Sequence, residues 1–197
     1  MIQLRQPYVL FLGDAPDQLA AKTADGIARW RPELCVGQLR LPNCKADIGL
    51  PDMTLEEARA AGAQTLIAGV ANRGGIVSDA WRDTLLRAVD LGYDIASGLH
   101  GRLSAIAGLR ERAKAQGTAL HDVRYSDQSF PIAGGDKRSG KRLLTVGTDC
   151  SVGKMYTTLS IEHEMKARGI KATFRASGQT GIFIAGEGLC VDAIISD

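Results

Sequence analysis

The sequence predicts an α/β fold: an N-terminal Rossmann-like parallel sheet, then a truncated P-loop NTPase-like α/β domain. Three observations predict it. Short apolar runs alternate with helical stretches from residue 8 to about 124; a segment rich in Gly, Ser, Pro and charge spans 126–142; and a Gly-bounded loop, Gly147 to Lys154, separates a β-favouring run from an amphipathic helical pattern. Strand–helix alternation with short connections implies right-handed crossovers and a parallel sheet covered on both faces. The expected boundaries are 1–125 for the Rossmann-like domain, 126–142 for a linker and 143–197 for the start of the P-loop domain.

Tyr8 to Leu12 is an unbroken apolar run ending at Gly13, which suits a buried strand. Gln18 to Trp30 reads as a helix and Cys35 to Leu41 as a second strand. Thr54-Leu55-Glu56-Glu57 fits a capping box, in which the Thr54 hydroxyl and the Glu57 carboxylate satisfy backbone donors at a helix start; that helix should end at Gly62. Gln64 to Ala71 follows as a strand, Ser78 to Leu91 as a helix, Tyr93 to Ser97 as a strand, Ser104 to Gln116 as a helix and Thr118 to Val123 as a fifth strand. After the linker, Arg142 to Val146 reads as a strand, Lys154 to Arg168 as a helix capped by Gly169, and Ile170 to Ala176 and Val191 to Ser196 as two more strands. Three strands and one helix do not cover both faces of a sheet. The remaining half is therefore expected beyond residue 197 or from another chain, and the 197-residue form is expected to be inactive alone.

Composition narrows the function classes. Twenty-four basic residues against 22 acidic ones give a formal net charge of +2, which supplies no general attraction to nucleic acid or an acidic membrane. Lys137-Arg138 and Lys141-Arg142 read as a solvated linker. The cysteines at 35, 44, 150 and 190 contain no Cys-x-x-Cys pair and no histidine stands at ligand spacing, so no metal site is expected. Free thiols in a cytoplasmic setting are the simplest account. Gly13-Asp14-Ala15-Pro16 stands where a dinucleotide fingerprint would follow the first strand, so tight NAD binding at that turn is not expected.

The loop Gly147-Thr148-Asp149-Cys150-Ser151-Val152-Gly153-Lys154-Met155 carries the clearest chemistry. A strand, a Gly-bounded loop and a helix N-terminus present backbone N–H groups to an anion, and Lys154 adds a point charge. A generic P-loop follows its lysine with Ser or Thr to hold Mg²⁺; Met155 occupies that position, and a thioether is a poor ligand for a hard cation. The pattern thus favours phosphate binding over nucleotide hydrolysis.

Other candidates lie in loops at strand ends. Gln179 and Thr180 in Gly178-Gln179-Thr180-Gly181 are suited to donate to a carboxylate, with Arg175 adding charge; a plain Gly-rich turn is the alternative. Asn72 and Arg73, before Gly74-Gly75, offer an arginine fork and exposed amides, against the alternative of a solvated loop. His100, in a loop after the fourth strand, is a candidate general base; His121 and His163 have weaker claims. Cys150, in the loop beside Lys154, is a candidate acyl carrier, although direct transfer is favoured. Asp197 reads either as a Walker-B-like acid or as a chain end.

Five residues separate Gly147 from Gly153, and this spacing resembles the loop of dethiobiotin synthetase and its ATP-dependent relatives. With Gly13-Asp14-Ala15, Ala21-Lys22-Thr23-Ala24, Gly69 to Gly75, Ser97-Gly98-Leu99-His100 and Gly178 to Gly181, the whole chain resembles a bacterial family long called a domain of unknown function, in which an N-terminal Rossmann-like domain precedes a P-loop domain. Within it the chain most resembles the D-glutamate N-acetyltransferases, whose members are longer. That resemblance implies transfer of acetyl from acetyl-CoA to the amino group of D-glutamate, the loop holding the donor's phosphates without a metal. It also implies action on a small acidic amino acid and, with the sheet edge that so short a second domain would leave exposed, a homo-oligomer; the charge balance adds the expectation of no nucleic-acid or membrane partner. An ATP-dependent ligase or carboxylate-activating enzyme, or a nucleotide sensor without turnover, are the alternatives.

Overall fold

The computed structural model of the chain describes residues 4–70, 77–125, 134–137, 139–149, 152–186 and 188–191. Its N-terminal part runs β1 (Tyr8–Gly13), α1 (Lys22–Trp30), β2 (Cys35–Arg40), α2 (Leu55–Ala60), β3 (Thr65–Ala68), α3 (Asp79–Asp90), β4 (Asp94–Ser97), α4 (Leu109–Gln116) and β5 (Leu120–Asp122). The five strands form one parallel sheet in the order β2-β1-β3-β4-β5. Every residue of β1, β3 and β4 is buried, as continuous apolar strands between two helical layers require. Local signals place the helix starts: the Thr54–Glu57 capping box is formed in full, and the Ser78 hydroxyl accepts the Trp81 amide.

The chain steps outward once, from β1 to β2, and then crosses back through β3, β4 and β5. Right-handed crossovers put α1 on one face and α2, α3 and α4 on the other. Ion pairs link the helices of the second group, Arg87 to Glu56 at 2.9 Å and Arg112 to Asp90 at 3.1 Å. On its own face of the sheet α1 has room beside it. That space is taken by a helix from the second domain, α6 (Gln179–Ala185), in which Ile182, Phe183 and Ile184 are buried. Burial of each such side chain contributes about 1.5–3 kcal/mol. The Thr23 and Thr180 hydroxyls lie 3.1 Å apart across the α1–α6 contact, and Arg31 Nη1 donates to the Ile184 carbonyl at 2.9 Å.

The second domain departs from expectation. Its helix, α5 (Lys154–Ala167), forms as predicted, with Gly169 just beyond it at φ +73°. Among the described residues the stretches 142–146 and 170–176 form no strand; Ala176 makes only an isolated bridge to Gly188. Leu143, Leu144 and Val146 are 61%, 80% and 80% exposed, so no described residue buries the apolar surface that would hold them extended. Beyond Val191 the strand expected at 191–196 lies outside the described residues, as does Asp197. The Gly178–Gly181 segment, expected as a substrate-binding loop with a plain turn as the alternative, is instead the start of α6. No helix among the described residues is long and apolar enough to cross a membrane.

Candidate functional site

Open parallel sheets bind ligands beyond the carboxyl ends of their strands, near the point where the strand order reverses. Here that point lies between β1 and β3. Gly13, at φ +55°, turns the chain out of β1, and the indole of Trp81 lies so close that a Cβ there would sit 2.5 Å from it. The indole N–H donates to Asp14 Oδ1 at 2.7 Å, and the ring meets Phe11 edge-on at 5.3 Å. The missing dinucleotide fingerprint thus has a structural counterpart: an aromatic side chain packs against the turn where a diphosphate would approach the backbone. Asn72 and Arg73, after β3, lie outside the described residues.

One strand further, Gly98 leaves β4 and His100 follows, exposed. The segment after β5 fixes this loop. Val123 N donates to the Ser97 carbonyl at 2.9 Å, Arg124 Nε to the Gly98 carbonyl at 3.0 Å, and the Tyr125 hydroxyl to the His100 carbonyl. Arg102 stacks its guanidinium over the Tyr125 ring at 4.2 Å. Asp122 accepts the Leu103 amide at 2.9 Å; burial raises its carboxyl above the ordinary value, while that amide and Arg102 pull the other way.

The second domain meets the same edge. A Cβ at Gly98 would lie 2.7 Å from Cγ and 2.9 Å from Cβ of Gln179, so glycine is what lets α6 approach. Thr180, the next residue, reaches Thr23. Gln179 and Thr180, two of the three substrate candidates of the second domain, therefore stand against the end of β4 and α1 of the first. Cys190 Sγ lies 3.9 Å from Gln179 Oε1. Arg175 is described and exposed, at the surface before α6.

At the phosphate loop, Gly153 adopts φ +96°; a Cβ there would meet no described atom within 4 Å, and α5 starts without a side-chain cap. Among the described residues no side chain caps its first amides, an arrangement that suits an anion. Lys154 Nζ donates to the Asp149 carbonyl, and Thr145 Oγ1 to the Lys154 carbonyl at 3.1 Å. A Cβ at Gly147 would lie 2.8 Å from the Val152 side chain, so the loop closes tightly on itself. Thr148 and Asp149 are exposed, while Cys150 and Ser151 lie outside the described residues. Met155 turns inward: it packs on the core, and its sulfur would sit 3.4 Å from a Cβ at Gly181. The residue that displaces the usual Mg²⁺ hydroxyl is therefore a packing contact between α5 and α6. Among the described residues no cluster of three His, Cys, Asp or Glu could hold a metal ion.

Sequence reasoning misses the partners that assemble this edge. Thr23 sits in a small-residue helix, and its only signal is the Lys22-Thr23 pair inside an apolar pattern. Nothing in the sequence around Gly98 announces the close approach that requires it. Arg124 follows a short strand and looks like any surface arginine.

Two family models match in order along the chain, the domain of unknown function (DUF1611_N) Rossmann-like domain over residues 40–126 and the domain of unknown function (DUF1611_C) P-loop domain over residues 131–197. A Tritonibacter scottomollicae protein named D-glutamate N-acetyltransferase is 59% identical over 194 residues, covering 98% of this chain and 58% of that protein. A Pseudoalteromonas protein of the same name is 45% identical over 196 residues, covering 100% of this chain and 59% of that one. The crystal structure of a DUF1611 family protein from Anabaena variabilis superposes with a TM-score of 0.80 at 29% identity, over 98% of this chain and 58% of that one. The chain thus spans under two thirds of the length of these relatives, and it belongs to the DUF1611 family.

Proposed function

We propose that this member of the DUF1611 family is an N-acetyltransferase that moves acetyl from acetyl-CoA to the amino group of D-glutamate. The observation that carries the reading is the 59% identity, across 98% of the chain, to a protein named for that activity. The local chemistry agrees with it. Coenzyme A carries a diphosphate and a 3′-phosphate, which call for an anion cradle and a cation. The uncapped start of α5, the open Gly153 and Lys154 fit them. A methionine turned into the core leaves no hydroxyl at position 155 to organise Mg²⁺ for γ-phosphate chemistry.

Acetyl-CoA supplies the activated thioester when bound. The chain's own groups bind, orient and move a proton. Lys154 and the loop amides from Gly147 to Gly153 neutralise phosphate charge. Gln179 and Thr180, with Arg175 and the Asn72-Arg73 loop, hold the substrate's carboxylates and so fix the direction of its amine. His100 takes the proton that the ammonium must lose before nitrogen attacks. Cys150 offers a second route as acyl carrier, with direct transfer preferred. In this reading the protein works in the cytoplasm, as a homo-oligomer, on small molecules and without a metal; the thiols of Cys35, Cys44 and Cys190 are unpaired.

Mass spectrometry of products from acetyl-CoA and a panel of D- and L-amino acids tests the reading, with the 197-residue chain assayed beside a chain of its relatives' full length. Formation of N-acetyl-D-glutamate by the longer chain supports it. Mg·ATP consumption with no acetylated product would replace it with a ligase.

A further inference from the structure

Arg124 lies one residue past the buried Val123, and the structure gives it an unusual setting. Its Nε is spent on the Gly98 carbonyl at 3.0 Å, which fixes the plane of the guanidinium at the carboxyl edge of β4. Gly98 is also the residue against which Gln179 packs. The fork is therefore anchored at the junction of the two domains, on the same glycine as a side-chain amide already assigned to the substrate. It is partly buried, and among the described residues it has no ion-pair partner. Its neighbour Arg102 is engaged with the Tyr125 ring, and Asp122 accepts the Leu103 amide. Holding one glycine carbonyl requires one N–H. A guanidinium has five, and the two terminal nitrogens have the spacing of a carboxylate.

We infer that Arg124 is a specificity-determining residue that binds one carboxylate of the amino-acid substrate beside Gln179. The inference rests on the reading of the protein as a D-glutamate N-acetyltransferase. It explains why a partly desolvated cation is kept at this edge with no ion-pair partner among the described residues: a bound carboxylate completes a charge-assisted, bidentate pair. It also gives the fixed Gly98–His100 loop a function, since the short segment after β5 that fixes the loop also carries the anion-binding fork.

Calorimetric titration of D-glutamate, D-glutamine and 4-aminobutyrate into the wild type, R124Q and R124K tests this, with acetyl-CoA titrated into each as a control. D-Glutamine lacks the side-chain carboxylate and 4-aminobutyrate lacks the α-carboxylate. In R124Q, D-glutamate affinity is expected to fall at least about tenfold, while one of the two probes, the one without the carboxylate that Arg124 holds, binds as it does to the wild type. R124K is expected to recover part of the loss. D-Glutamate binding to R124Q unchanged from wild type overturns the inference, and so does an equal weakening of all three ligands, which would mark Arg124 as a support for the loop. If R124Q also loses acetyl-CoA, R124K is judged by the same comparison. A wild type that binds acetyl-CoA but not D-glutamate overturns the substrate reading itself, and the inference with it.

Discussion

The hydroxyls of Thr23 and Thr180 lie 3.1 Å apart and join the first helix of the Rossmann-like domain to α6, the second helix after the phosphate loop. Around this bond α6 supplies the apolar cover that α1 alone cannot, and it brings Gln179 onto Gly98. Packing and site assembly are thus one event: the same seven residues bury Ile182, Phe183 and Ile184 and deliver two candidate substrate contacts. A double-mutant cycle with Thr23→Val and Thr180→Val is expected to show a coupling of about 0.5–1.5 kcal/mol in chemical denaturation.

Gly98→Ala tests the approach of α6 more severely. The new methyl would meet Gln179 Cβ at 2.9 Å and Phe183 Cε2 at 3.4 Å, and a backbone-proximal Cβ has little room to yield. We expect a loss of about 1–3 kcal/mol of stability, together with weaker D-glutamate binding. Retained stability and retained binding would show that the helix does not depend on this contact.

Trp81 is expected to be a strong determinant of the first domain. It is buried, packs edge-on to Phe11, covers the Gly13 turn and donates to Asp14. Trp81→Ala should cost about 3–5 kcal/mol in urea unfolding, whereas acetyl-CoA affinity of the folded fraction should be unaffected.

The amino edge of the sheet carries a pH-dependent contact. Arg5 holds Asp94 through two bonds of 2.5 and 2.7 Å, and the Ala119 amide adds a third at 2.7 Å. Burial alone would raise this carboxyl, whose side chain is 6% exposed, but the Arg5 fork and the amide together hold it below the ordinary value. The folded carboxyl thus titrates below its unfolded value of about 3.9, so its stabilisation is complete above that pH and is lost as pH falls through the folded value. Burial lowers nearby His121, with Asp94 opposing, so the histidine adds little charge at neutral pH. Asp94→Asn should cost about 1–3 kcal/mol at pH 7, and the gap to wild type should shrink below about pH 4. A gap independent of pH would contradict the assignment.

Most of the first domain is legible in the sequence because its signals are local. The apolar run Tyr8 to Leu12 suits only a buried strand, and Thr54 and Glu57 spell out a cap that the structure forms. Edges are less secure: the helix expected from Ser104 begins at Leu109, after a short 3₁₀ turn at Leu103–Ala105, because Gly108 at φ +78° interrupts the pattern. The second domain is hard to read where structure depends on distant partners. Leu143 to Val146 have strand propensity but no described strand beside them, and Gly178 to Gly181 have turn composition but lead into a helix whose Phe183 is buried beside Gly98 of the first domain. The phosphate loop is legible as a motif. The inward direction of Met155 is not, because it depends on Gly181 packing beneath it.

The loop from Gly147 to Lys154 is proposed to anchor an acyl donor and not a hydrolysed nucleotide. Calorimetric titration of acetyl-CoA and of ATP with Mg²⁺ into the wild type and Lys154→Ala tests it most directly. The wild type is expected to bind acetyl-CoA without added metal, and Lys154→Ala to weaken that binding by about tenfold or more. Tight, Mg²⁺-dependent ATP binding with no binding of acetyl-CoA would contradict it.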